Sequence, residues 1–134
     1  MMKILRGTIF GGIAFLVLGW LVYGMLLMDF MAANSDTSVM RPDDEMIWWA
    51  MILSNLIFGL VITLILKWSG ASKPIDGIKI GALIGVLLCL AIDLSMYSMT
   101  TMYNITAIIV DAIVTTVLVG IGGLVIVLTW GKND

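Results

Sequence analysis

Four long apolar stretches, separated by short polar segments, dominate the hydrophobic pattern of this chain. A helix needs about 20 apolar residues to cross the hydrocarbon core of a bilayer. Backbone groups in that core find no water to bond, so stretches of this kind are predicted to be helices. The predicted spans are Thr8–Met28, Met46–Leu66, Ile80–Ser98 and Asn104–Trp130.

Composition strengthens this prediction. Hydrophobic residues make up 61% of the 134 residues and charged residues only 12%, whereas a soluble domain has about 45–50% apolar and about 25% charged residues. The chain is therefore predicted to be an all-α, polytopic integral membrane protein. Its lipid-embedded part forms a single domain, residues 1–134, and its first partner is the lipid bilayer.

The basic residues predict how the chain is oriented in the membrane. Arg41 is the only basic residue in the segment Asp29–Glu45, which carries five acidic residues. By the positive-inside rule that segment faces outward, and both termini are cytoplasmic. The remaining basic residues all fall on the opposite side: Lys3, Arg6, Lys67, Lys73, Lys79 and Lys132.

Short connections predict a compact antiparallel four-helix bundle, because helices joined by few residues pack as neighbours. An internal repeat is also suggested. When the chain is shifted by 74 residues, Tyr23, Met25 and Met28 align with Tyr97, Met99 and Met102. A true repeat would relate two hairpins by an axis along the membrane normal, as in some transporters. The alternative is convergent use of Gly and Met by apolar helices.

Several function classes are excluded or unsupported by residue content. The chain has no His, and Cys89 is its one cysteine, which excludes His-based catalysis, CxxC redox chemistry and a Cys/His zinc site. It has no P-loop, nucleophile elbow or HExxH motif, so we expect no enzyme activity and no cofactor. Without a basic patch, nucleic acid is not an expected partner.

A stripe of small residues follows one face of the third span. Gly77, Gly81, Gly85 and Cys89 are spaced four apart and continue to Asp93 and Tyr97. Small residues at this spacing allow close helix–helix approach. Gly77, Gly81, Gly85 and Cys89 are therefore predicted to form a packing face, and packing does not explain the carboxyl group of Asp93.

Asp93 and Asp111 are the two acidic residues inside the predicted spans, and they fall at similar depth on consecutive helices. Intramembrane acids are costly and usually functional. Asn55, Tyr23 and Tyr97 offer neutral ligands near the same layer, and Gly19 is the alternative to Tyr23 on the first span. A proton- or cation-binding site is one interpretation. The other is interhelical hydrogen bonding by a protonated Asp to Asn55, Tyr97 or Thr115.

Methionines cluster toward the outer side of the predicted bundle. Thioethers are soft ligands that favour Cu(I), although methionine is more often a packing residue. A Cu(I) site is therefore a second alternative, and its candidate ligands are Met25, Met28, Met96, Met99 and Met102.

Two short segments resemble a known family. Gly19-Trp20-Leu21-Val22-Tyr23-Gly24 followed by Met28-Asp29-Phe30, and Ala91-Ile92-Asp93 through Met96-Tyr97, look like a family of small bacterial four-helix membrane proteins described only as a domain of unknown function. The resemblance implies a location in the bacterial inner membrane. It implies no activity.

These observations favour a small transporter or channel-like protein that binds a proton or cation at Asp93 and Asp111. A bundle of this size suggests a homo-oligomer, with an interface at Gly7, Gly11 or the Gly120–Gly123 cluster. The alternative function is a structural or accessory subunit of a larger membrane complex.

Overall fold

The computed structural model describes residues 2–34 and 45–130. Within these ranges the chain forms five helices: α1 (Met2–Leu21), α2 (Met28–Asn34), α3 (Trp48–Trp68), α4 (Pro74–Met99) and α5 (Ile105–Thr129). A π-helical turn, Val22–Leu26, connects α1 to α2. Most of the predicted outer segment, including Arg41, and the C-terminal Lys132 lie outside the described residues.

Four helical segments in the described part are long and apolar enough to cross a membrane: Met2–Leu26, Trp48–Trp68, Pro74–Met99 and Ile105–Thr129. All four predicted spans are therefore present as helices. The first and third begin six residues earlier than the apolar pattern indicates, because a helix continues through polar flanking residues that hydropathy leaves out. The first is also interrupted, since the π-helical turn occupies what was predicted as a continuous span.

Helix α1 lies between α3 and α5, and α4 packs along the far side of α5. Helices α4 and α5 are neighbours, as the short turn between them predicts, and α1 and α3 are neighbours although α2 lies between them in the chain. Helices α3 and α4 touch only slightly, although just five residues join them. The difference arises because α1 has small residues on its packing surface, so that both α3 and α5 approach it closely.

The α1–α3 contact depends on missing side chains. A Cβ atom added to Gly59 of α3 would lie 2.7 Å from the backbone nitrogen of Gly12, which is closer than real Cβ atoms approach. One added to Gly11 would lie 2.7 Å from the Ile126 side chain of α5. The two backbones therefore touch at glycine, as small residues allow in membrane helices.

Helix α5 meets α4 along the predicted glycine stripe. Gly77 lies against the backbone of Gly123, Gly81 against the carbonyl of Val119, and Gly85 against the Val119 side chain. Glycines proposed for an interface between copies are mostly buried in the same way, with Gly7 against Thr63 and Gly122 against Phe15. Their packing surfaces are occupied within one chain, so an interface between copies would use other faces.

A small apolar core lies where α1, α3 and α5 meet. The Phe15 and Phe58 rings pack edge to face with centroids 4.8 Å apart, a favourable aromatic geometry. Most other large apolar side chains point outward, as expected for helices surrounded by lipid. The buried residues of the core are Phe15, Ile62, Leu66, Leu118, Val119, Ile126, Val127 and Trp130.

Polar contacts fix the ends of the bundle. At one end Arg6 Nη1 donates to the Trp130 carbonyl over 3.0 Å, and the Lys3 ammonium lies 5.3 Å from the centre of the Trp130 ring. At the other end Asn104 Nδ2 donates to Asn34 Oδ1 over 2.8 Å, and the Asn104 backbone N–H donates to the Asn34 carbonyl. Helix α1 is thus held to the end of α5, and α2 is held to the residue that precedes α5.

Candidate cation site

Asp93 and Cys89 lie one turn apart on α4, on the face that carries the glycine stripe. Both side chains are about nine-tenths buried, with exposed fractions of 8% for Asp93 and 9% for Cys89. The Cys89 thiol lies 3.3 Å from Asp93 Oδ2. Because the glycines bring α5 against this face, the two side chains point into the α4–α5 contact.

Asp111 of α5 completes the contact from the other side. Its Oδ2 atom lies 3.2 Å from Cys89 Sγ, so the thiol sits between the two carboxyl groups. Sγ and one oxygen from each carboxylate all lie within 4.8 Å of one another. We refer to Cys89, Asp93 and Asp111 as the acid–thiol cluster.

Tyr23 brings the first span into the same site. Its hydroxyl donates a short hydrogen bond to Asp111 Oδ1 and lies 3.4 Å from Thr115 Oγ1. Thr115 itself is 3.5 Å from Asp111 Oδ1. Tyr23 lies in the π-helical turn, a type of irregularity found frequently at functional sites. Three helical segments therefore converge on one carboxyl group.

No basic side chain of the described part lies near the acid–thiol cluster along its own helices. Lys79 is the nearest basic residue on α4, and it precedes Cys89 by ten residues, which is about 15 Å of helix. Helix α5 contains no Lys, Arg or His. On α1, Arg6 is bonded to Trp130 at the far end of the helix. Among the described residues, the two carboxyl groups thus share a largely apolar environment in which α4 and α5 place no cationic side chain beside them.

The structure brings together three of the five residues predicted for the ion site, namely Tyr23, Asp93 and Asp111. Asn55 lies on α3, where its Nδ2 donates to the Met51 carbonyl of the same helix over 2.9 Å. Tyr97 is 45% exposed and lies two turns from Cys89 along α4. Gly19, the alternative to Tyr23, has no neighbouring atom within 4 Å of a Cβ position.

The methionines predicted as Cu(I) ligands are mostly exposed. Met25, Met28 and Met99 have exposed fractions of 59%, 50% and 71%, while Met96 and Met102 are half-buried. Met25 and Met28 flank the end of the π-helical turn, Met96 and Met99 lie in the last turn of α4, and Met102 follows it. Nothing in their packing sets a ligand geometry, and the Cu(I) site stays a prediction.

An open depression lies at the end of the bundle nearer the acid–thiol cluster. Tyr97, Tyr103, Asn34 and Asn104 contribute to its lining, and its volume is about 680 Å³. Tyr103 lies in the turn between α4 and α5. Burial raises the pKa of Tyr103, and the charges of Asp93 and Asp111 raise it further, so this tyrosine is within electrostatic reach of both acids.

Sequence reasoning assigned Cys89 to helix packing, and it left Thr115 as one of three alternative hydrogen-bond partners. The sequence did indicate that Cys89 lies beside Asp93, because Cys89 precedes Asp93 by four residues and is therefore on the same face of α4. Its contact with Asp111 depends on the rotation of α5 about its own axis. That rotation is set by the packing of Gly123 and Val119 against the glycine stripe.

Comparison of the chain with protein-family models, curated proteins and solved structures finds no match.

Proposed function

We propose that this chain is a small multi-pass membrane protein that binds a proton or a cation at Asp93 and Asp111, and that it acts as a transporter or channel-like protein. The observation that carries the proposal is the pairing of two carboxyl groups between apolar helices, with no basic side chain of residues 2–34 and 45–130 shown beside them. Charged groups at such depth are costly and usually functional.

The donors around the two acids support this proposal. Tyr23 and Thr115 both donate hydrogen bonds to Oδ1 of Asp111. The one hydrogen of the Cys89 thiol is shared between two carboxyl groups. If both acids were ionised, the pair would carry a charge of −2, and these side chains would supply too few hydrogen-bond donors to stabilise it. A proton on one acid, or a bound cation, removes this imbalance.

We propose an antiparallel arrangement with both termini in the cytoplasm. Its support is the pattern of helix contacts, because Gly77 meets Gly123 while Cys89, further along α4, meets Asp111, which comes earlier on α5. The basic residues of the described part also favour it through the positive-inside rule. The acid–thiol cluster then lies toward the outer half of the membrane, below the open depression.

We also propose that the protein lies in the bacterial inner membrane, as the resemblance described above implies. We also propose that the chain works as a homo-oligomer, because four helices provide little room for a path of their own. Its contacts would use the exposed apolar faces, which include Ile9, Ile13 and Val17 of α1.

A structural role within a larger membrane complex is the second candidate. The hydrogen bond from Tyr23 to Asp111 favours it, because interhelical bonds of this kind stabilise membrane helices by about 1 kcal/mol. This role predicts a stoichiometric partner when the protein is purified in mild detergent. Recovery of the chain without any partner would count against it.

Ion flux through the reconstituted protein tests the proposed function. The full chain is placed in liposomes that contain a pH- or cation-sensitive dye, and gradients of H⁺, Na⁺, K⁺ and divalent cations are imposed in turn. We expect flux of one ion, loss of that flux in Asp93→Asn and Asp111→Asn, and normal flux in Asp29→Asn. Asp29 is a suitable control because it is an exposed acid on α2. Unchanged flux in both cluster variants would contradict the proposal.

A further inference from the structure

We propose that the acid–thiol cluster of Cys89, Asp93 and Asp111 is a site for a divalent transition-metal ion, of the class of Zn²⁺ or Co²⁺, bound through sulfur and carboxylate oxygen together. This inference rests on the proposed function and names the chemical class of its cation. It differs from the Cu(I) hypothesis in both residues and metal.

The spacing of the three ligand atoms fits one ion. Zinc–sulfur bonds are about 2.3 Å and zinc–oxygen bonds about 2.0–2.2 Å, so ligands of a tetrahedral ion lie about 3.5 Å apart. Cys89 Sγ lies 3.2 Å from Asp111 Oδ2 and 3.3 Å from Asp93 Oδ2. Small side-chain movements would therefore place all three atoms around a common centre.

Two buried carboxyl groups share one sulfur atom at the centre of the cluster. Cys89 has one S–H hydrogen, and its sulfur lies within 3.3 Å of an oxygen of each acid. Sγ and one oxygen from each carboxylate all lie within 4.8 Å of one another, and Asp93 is nine-tenths buried. Buried polar groups need partners, and one thiol hydrogen serves only one of the two acids at a time. A metal ion bound to both acids and to the sulfur satisfies all three groups.

The ligand types select the class of metal. Ca²⁺ and Mg²⁺ take oxygen ligands, and a site for them gains nothing from a sulfur atom at its centre. Cu(I) is selected by soft thiolate and thioether ligands, and two of these three ligands are hard carboxylates. Zn²⁺ accepts thiolate and carboxylate in the same site. Co²⁺ occupies sites of the same kind and reports sulfur ligation by its colour.

Metal binding at this cluster releases protons. The S–H bond of Cys89 breaks, its proton leaves to water, and the thiolate sulfur bonds the metal, as thiol ligands require. A proton carried by Asp93 or Asp111 in the metal-free protein also leaves to water, so that both acids bind as carboxylates. No oxidation state changes. With two carboxylates and one thiolate around a divalent ion, the net charge of the site is −1. Tyr23 and Thr115, which bond the other oxygen of Asp111, hold that carboxylate in orientation, as partners of metal ligands do.

Cobalt titration of the full-length chain in detergent tests this inference. We expect Co²⁺ to produce a sulfur-to-cobalt charge-transfer band that saturates at one ion per chain, and Zn²⁺ to remove it by competition. The band should be lost in Cys89→Ser and Cys89→Ala and retained in Asp29→Asn. The unfolding midpoint of the unmodified chain should rise with Zn²⁺ and Co²⁺ but not with Ca²⁺ or Mg²⁺.

Two results would overturn the inference. One is the absence of any charge-transfer band in the folded, unmodified chain. The other is stabilisation by Zn²⁺ that is undiminished in Cys89→Ser, provided that the unliganded variant unfolds at the same temperature as the parent. If the variant is itself destabilised, the Co²⁺ titration of the parent, which needs no substitution, still decides the question through the presence or absence of the band.

The same experiment separates this inference from the proposed function. Stabilisation by Na⁺, K⁺, Ca²⁺ or a change of pH that is lost in Asp93→Asn, without a cobalt band, would reject the transition-metal site and retain proton or cation binding. If the unfolding midpoint responds neither to pH nor to any cation, both the transition-metal site and the proposed proton or cation binding are rejected.

Discussion

At the scale of single residues, Asp111 is the point where three helical segments meet. The Tyr23 hydroxyl bonds Oδ1, the Cys89 thiol faces Oδ2, and Thr115 supports Oδ1 from one turn along α5. Each of these side chains sits on an otherwise apolar helix. The contribution of the cluster to the free energy of unfolding therefore depends on a few hydrogen bonds, and single substitutions test it.

Replacement of Tyr23 by Phe removes the donor to Asp111 and keeps the ring. We expect the free energy of unfolding to fall by about 1 kcal/mol, the usual size of an interhelical hydrogen bond in a membrane protein. Chemical unfolding in mixed micelles measures it. Tyr97→Phe is the matched control, since the described structure gives the exposed Tyr97 hydroxyl no hydrogen bond. An equal effect of both variants would contradict the role given to Tyr23.

Tyr103 predicts an effect of alkaline pH. Burial and the charges of Asp93 and Asp111 raise its pKa in the folded chain, whereas an unfolded tyrosine titrates near about 10. Above that pH the unfolded state loses the proton first, so the stability of the folded chain should fall as pH rises. Unfolding measured through this range should show a smaller decline in Tyr103→Phe than in Tyr97→Phe. Identical declines would contradict the prediction.

The carboxyl pair could be predicted from sequence because acids inside apolar spans are conspicuous, and their depth follows from the rise of a helix. The role of Cys89 could not be separated from packing in this way. Whether its sulfur reaches Asp111 depends on the rotation of α5, and the apolar pattern of α5 is too uniform to fix that rotation. Asn55 illustrates the same limit, because its depth suited the site while α3 lies on the far side of α1.

At the scale of helices, the α4–α5 contact depends on backbone-to-backbone approach. A methyl group at Gly123 would collide with the carbonyl group of Gly77, so Gly123→Ala should separate the two helices. We expect a loss of about 1–3 kcal/mol, as for other overpacked positions. Gly19→Ala is the control, because its Cβ would meet no atom within 4 Å. Thermal unfolding in detergent measures both, and equal midpoints would contradict this account of the contact.

The π-helical turn was not predictable, since the sequence Val22–Leu26 is as apolar as its surroundings. The structure supplies a reason for it. Tyr23 must reach Asp111 while Asn34, eleven residues later, bonds Asn104. An α-helix turns by about 100° per residue, so the additional residue of the turn changes which face of α2 meets Asn104.

Deletion of Met25 tests this explanation of the turn. Met25 is mostly exposed, so its removal costs little packing and allows the segment to become α-helical. Asn34 would then rotate away from Asn104. In the full-length chain Asn34→Ala should lower the unfolding midpoint, and in the deleted chain it should have little effect. An equal effect in both backgrounds would show that the turn does not set this contact.

At the scale of the whole molecule, the four spans and their order followed from hydropathy, because span length is fixed by the thickness of the bilayer. The order in which the helices pack side by side did not follow from hydropathy. Helices joined by a short loop were expected to pack together, yet α3 and α4 barely touch. Glycines on α1 decide the outcome, because Gly7 and Gly11 let both α3 and α5 pack closely against that helix.

The proposed orientation predicts which connections are accessible from each side. In a Cys89→Ala background, Thr101→Cys lies in the turn after α4 and Ser72→Cys lies in the loop before it. A membrane-impermeant maleimide added to intact cells should label the first and not the second. Inverted membrane vesicles should give the opposite pattern. Labelling of both positions from the same side would contradict the proposed topology.

The central claim is that the carboxyl pair binds a proton or cation. Its most direct test is the unfolding midpoint of the full chain across pH and a series of cations, in the parent, Asp93→Asn and Asp29→Asn. A ligand at about 100 times its dissociation constant stabilises the folded state by about 2.7 kcal/mol. We predict that pH or one cation raises the midpoint of the parent and of Asp29→Asn but not of Asp93→Asn. A midpoint that responds to neither pH nor any cation, or that responds equally in Asp93→Asn, would contradict the account.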